Sequence, residues 1–116
     1  LSALKSQQSK YWEGSLYIGN YVEDNLVKNG KRPSRGVKQE NLHVLRMNAM
    51  PSILIETGFV NNYDDAVYIT SEDGQKEIAE SIYDAIVTYK KRMDRNQKKV
   101  EEEKPKELPL KNDFRV

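Results

Sequence analysis

The chain has 116 residues, enough for one domain with a hydrophobic core of its own. It is 37% hydrophobic and 32% charged, with no apolar run near the ~20 residues of a membrane span, and its net charge of +1 supplies no global basic field for nucleic-acid binding. Zero cysteines exclude disulfides and thiolate metal sites and leave the compartment open.

The chain opens on Leu1–Ser2–Ala3 without a methionine, which reads as a cut end, so a missing signal peptide carries little weight. From about residue 9 to 29, Tyr11, Ser15, Ile18, Val22 and Leu26 recur three or four apart and predict a helix. Ser9 is placed to cap it and Asn29–Gly30 to end it. Lys31 to Gly36 reads as a loop punctuated by Pro33 and Gly36. Leu42–His43–Val44–Leu45 is expected to be a short strand. After a linker at 47–51, Ser52–Ile53–Leu54–Ile55–Glu56 reads as an interior strand buried on both sides. Asn62 is placed to cap a short helix over Tyr63 to Tyr68.

The last regular element is the clearest in the pattern. Ser71 is an N-cap followed by Glu72 and Asp73, which suit the positive end of a helix dipole. Ile78, Ala79, Ile82, Ala85, Ile86, Tyr89 and Met93 then form one apolar stripe, read as a packing face. Residues 92–116 are set apart as a charged, flexible tail or linker. Basic residues there give way to Glu101–Glu102–Glu103, with Pro105 and Pro109 beyond. Asp113–Phe114–Arg115–Val116 looks strand-like.

Two residues stand out chemically. Glu56 is a carboxylate at the end of an apolar run, where it must be paired, hydrated or used. As a general acid or base it needs an electrophile supplied by something else. As a structural residue it pairs with Arg35 or Arg46. Arg35, in Pro33–Ser34–Arg35–Gly36, is either an ordinary loop arginine or a guanidinium presented to hold a carboxylate bidentately. The single histidine, His43, cannot build a metal centre alone.

Three blocks occur in order: Ser34–Arg35–Gly36–Val37–Lys38, Leu42–His43–Val44–Leu45–Arg46, and Met50 through Asn62 with its Pro51, Glu56, Gly58 and Phe59. Together with the closing helix through Gln75, Ile78, Ala79, Ile82 and Tyr89, they resemble the C-terminal half of the zinc-dependent N-acetylmuramoyl-L-alanine amidases of the Amidase_3 type, over about residues 9 to 91. The resemblance implies an α/β fold, a mainly parallel sheet flanked by helices, of which residues 1–91 are the C-terminal part of the catalytic domain. It implies hydrolysis of the peptidoglycan amide between N-acetylmuramic acid and L-alanine, at the cell envelope, periplasmic or extracellular.

Glu56 matches the family's proton-handling glutamate, and Arg35 matches only as a substrate-side contact. The family's zinc is held by two histidines and a glutamate that lie upstream of the SRG turn, and none of them matches a residue here. The expectation is therefore that Zn2+ belongs to the intact enzyme, that this chain alone binds none, and that a missing N-terminal segment completes the site. The alternative is a non-catalytic peptidoglycan-binding remnant of the fold.

Overall fold

The computed structural model describes residues 2–30 and 32–104. Within them lie four helices: α1 (Ser2–Gly30), α2 (His43–Arg46), α3 (Tyr63–Thr70) and α4 (Glu72–Glu103). The long helices α1 and α4 pack on each other, and α3 packs against α4. The strand-like reading of 113–116 lies outside the described residues.

Periodicity explains α1 and α4. Val22 and Leu26, one turn apart, are buried against Ala85 of α4, and Tyr21, Ile78 and Ile82 close around them. Ser81 is also fully buried. Its hydroxyl donates to the Glu77 carbonyl at 2.7 Å, and its own carbonyl accepts from Asn25 Nδ2 at 3.1 Å. A small polar residue thus lets the two helices approach while its hydrogen bonds stay satisfied. Of the stripe expected on α4, Ala79 and Ile86 are exposed. Farther along, Arg92 of α4 stacks on Tyr17 of α1 at 3.8 Å, so contact between the helices continues to the end of the apolar stripe.

Capping fixes the start of α3 and α4. The Asn62 side chain accepts from Asp65 N at 3.1 Å, and Ser71 Oγ accepts from Gly74 N at 3.0 Å. Glu72 and Asp73 occupy the first turn of α4. Both caps fall where the sequence puts them.

The parallel sheet does not. Among the described residues there is no strand. The strand expected over Leu42–Leu45 is replaced by a single helical turn at His43–Arg46, with Arg46 N donating to the Leu42 carbonyl at 2.8 Å. Residues 51–59 have no regular secondary structure. The physical reason is pairing: a strand needs a neighbour to receive its ladder hydrogen bonds, and the described chain offers the 51–59 segment helices instead.

Only one side of that segment packs, contrary to an interior strand. Ile53 and Ile55 sit against the Val22–Leu26–Ala85 core, whereas Leu54 is 57% exposed and Glu56 is exposed. The segment is pinned at its start by Ser52 N, which donates to Ser15 Oγ of α1 at 2.9 Å.

The α3–α4 corner is tight. A Cβ built on Gly74 would lie 1.9 Å from the backbone oxygen of Tyr68. Gly74→Ala therefore forces the corner open. Net destabilisation of about 1–3 kcal/mol is expected, despite alanine's better helix propensity, and is checked by a lowered midpoint in thermal or denaturant unfolding.

Candidate functional site

The site is built where the loop after α1 meets the segment before α3. Glu23, Leu26, Val27, Arg32, Pro33, Arg35, Glu56, Thr57 and Gly58 line a small cleft of about 50 Å³. That is room for a water or a carboxylate-sized group, so the cleft can take one functional group of a larger ligand.

Asp65, on the first turn of α3, organises one wall. It is a buried carboxylate, 6% exposed, that accepts from Phe59 N at 2.9 Å and is ion-paired to Arg32. Arg35 Nη2 approaches its other side at 3.4 Å. The Phe59 amide first, and the Arg32 guanidinium next, hold the Asp65 carboxyl below its ordinary value of 3.8. Arg32 also stacks on the Tyr68 ring at 4.4 Å. The Tyr68 hydroxyl donates to Glu77 Oε2 at 2.7 Å, and burial, then the neighbouring Glu77 carboxylate, push it up to about 12.

Glu23, on α1, also lines the cleft. Its Oε1 accepts from Ser34 Oγ at 2.6 Å, Arg35 N at 2.9 Å and Gly36 N at 3.0 Å. Successive amides converging on one oxygen form an anion-binding nest, and Gly36 supplies the left-handed backbone it needs at φ 77°. These donors, Ser34 first, keep the Glu23 carboxyl below its ordinary 4.5.

The two residues singled out in the sequence share this cleft. Among the described residues Glu56 forms no ion pair, so neither Arg35 nor Arg46 is its partner. Arg35 leans on Asp65 and stacks on Phe59 at 4.1 Å, with its side chain 47% exposed. Arg46 lies on α2, with Nη2 3.3 Å from His43 Nδ1 and Nη1 donating to Asn41 Oδ1 at 3.5 Å.

Sequence reasoning missed Glu23 and Asp65. Asp65 carried a signal, an acidic residue three positions after the Asn62 cap. Glu23 carried none.

The zinc implied by the resemblance finds no fit in these residues. Among those described, no group of three or more His, Cys, Asp or Glu converges as a metal would require. His43 is exposed and set beside an arginine, a poor donor environment for a cation.

Comparison with known proteins defines the class. The family model for N-acetylmuramoyl-L-alanine amidase matches residues 2–88, and the chain belongs to that family. It is 36% identical over 83 residues to an uncharacterized cell wall amidase of Bacillus anthracis, covering 72% of this chain and 16% of that protein. It is 35% identical over 83 residues to the uncharacterized protein YqiI of Bacillus subtilis, covering 71% and 40%. With the N-acetylmuramoyl-L-alanine amidase LytC of Bacillus subtilis it shares 31% identity over 75 residues, covering 65% and 15%. The chain thus spans less than half the length of each of these relatives. No solved structure matches. No helix among the described residues is long and apolar enough to cross a membrane.

The two organising carboxylates set a pH dependence. Both have folded values depressed below 3.8 and 4.5. Their contribution to stability is therefore complete above those values and is lost as pH falls through the lower, folded ones. The melting temperature is expected to hold from neutral pH to about the upper of the two, then drop. Asp65→Asn should lower the plateau and flatten the acid limb, as read from melts across the carboxylate range.

Proposed function

We propose that this chain is part of a cell-wall hydrolase that cleaves the amide between N-acetylmuramic acid and L-alanine of peptidoglycan, with Glu56 as its catalytic acid and base. The observation that carries the reading is the membership of the amidase family together with Glu56 and Arg35 on one cleft.

Hydrolysis adds water to the lactyl carbonyl carbon and breaks its bond to the alanine nitrogen. A carboxylate free of ion pairs can take a proton from the attacking water and return it to the departing amine. Glu56 suits both steps because it is exposed at the cleft and forms no ion pair among the described residues. Arg35 presents a partly exposed guanidinium, which fits a carboxylate of the stem peptide. The cleft is too small for a sugar and peptide together, so most of the substrate lies along its rim. In this reading the zinc implied by the resemblance takes its ligands from elsewhere in the intact protein. The site of action is the cell envelope or beyond.

The test is the intact protein containing this chain, incubated with a muramoyl peptide. Release of free stem peptide is expected, and Glu56→Gln should lower kcat by about 10²–10⁴-fold. Near-normal turnover in that variant would remove Glu56 from the chemistry, and binding without release would remove the hydrolase reading.

A further inference from the structure

Arg35 lies on an irregular loop, half exposed, yet two carboxylates from different helices hold it. Glu23 of α1 fixes its backbone: one oxygen accepts from the residue before it, from Arg35 N itself and from the residue after it, at 2.6, 2.9 and 3.0 Å. Asp65 of α3 contacts its side chain at 3.4 Å, while Phe59 lies under the guanidinium at 4.1 Å. The same Asp65 binds Phe59 N at 2.9 Å, just past Glu56–Thr57–Gly58. The residue that would bind substrate and the residue that would react are therefore referred to one carboxylate.

The strengths of these contacts differ in a useful way. The Arg32–Asp65 pair is close and its arginine side chain is only 16% exposed. The Arg35–Asp65 contact is long, and Arg35 is 47% exposed. Arg32 satisfies the buried carboxylate. Arg35 is only aimed by it, with guanidinium donors left over, because five N–H groups cannot be consumed by one long contact. A rigid backbone and a pre-aimed, unsaturated guanidinium are what a bidentate anion receptor requires.

We infer that Glu23 and Asp65 are positioning residues that make Arg35 a receptor for a free carboxylate of the stem peptide, giving the site a preference for unamidated stems. The inference rests on the reading of Arg35 as a substrate contact. Glu23 positions Arg35 through the Ser34–Gly36 turn, and Asp65 through the guanidinium.

The experiment uses the intact protein and two muramoyl peptides, identical except that the stem carboxylates are free in one and carboxamides in the other. Dissociation constants come from calorimetry, and stem release is followed separately. The free-acid peptide should bind about tenfold more tightly, the scale of one charge-assisted pair. Arg35→Ala should erase that ratio. Glu23→Ala should reduce it to about twofold by weakening the free-acid peptide, with less than a twofold change for the amidated one. Glu23→Gln, which keeps an acceptor oxygen for the turn, should recover part of the ratio. In the Glu23→Ala/Arg35→Ala double variant, the first change should add nothing to the second.

Asp65→Asn serves as a second route to the same loss, with melting used to confirm folding. A wild-type ratio near one, or variants at Glu23 and Asp65 that weaken both peptides equally, would overturn the inference even if stems are released. A tenfold ratio without stem release would overturn the hydrolase reading and leave the positioning pair standing.

Discussion

The arrangement around Glu56 depends on the buried carboxylate of Asp65. A charge at this depth is costly unless its lone pairs are taken up, and three partners from two separate stretches of chain supply them: Phe59 N, Arg32 and Arg35. Removing the carboxylate charge therefore leaves a largely buried arginine without its counter-ion. Arg32 passes the constraint on, because it stacks on Tyr68, whose hydroxyl is held by Glu77 of α4. The loop after α1, the start of α3 and the second turn of α4 are in this way held in one polar chain beside the apolar core.

The polar chain matters because the apolar core is slight. Only Val22, Leu26 and Ala85 are buried among the hydrophobic residues described. Segment 51–59, which carries Glu56, adds Ile53 and Ile55 to that core from one side only. With no ladder hydrogen bonds, its path is set by its two ends, Ser52 on the Ser15 hydroxyl and Phe59 on Asp65, each at 2.9 Å. Alternation between the pins then decides the rest: Ile53 and Ile55 turn inward, so Leu54 and Glu56 turn outward. Glu56 is exposed at the cleft because it is three residues from one pin and in step with the outward face.

The parts of this legible in the sequence are those that local chemistry decides. Asn62 and Ser71 act as caps through hydrogen bonds three residues long, and the α1 stripe ends in the residues that are buried, Val22 and Leu26. Glu56 and Arg35 stand out through linked motifs, not through periodicity. The sheet is not legible because Ile53–Leu54–Ile55 is apolar on consecutive positions, and three residues cannot separate a segment packed on both faces from one packed on a single face. His43–Arg46 carries the same ambiguity, being too short for either period to declare itself. Glu23, and the pairing of Asp65 with its arginines, are illegible for a different reason. The partners of Glu23 lie eleven to thirteen positions away and the two arginines on Asp65 thirty to thirty-three, and no repeat marks a contact of that range.

Charge placement then separates the two glutamates that face the cleft. Glu23 is saturated by three donors on one oxygen and is held in its ionised form, so it is a poor proton acceptor and a good anchor. Glu56 has no cation paired with it among the described residues. Two identical side chains on one cleft thus differ in what donates to them. The same logic sorts the arginines: Arg32, closely paired and sheltered, satisfies the structure, while Arg35, loosely held and half exposed, retains capacity for a ligand. In each like-charged pair, one member stabilises the frame and the other is left unsaturated, and the unsaturated members, Glu56 and Arg35, are the two that the linked motifs single out.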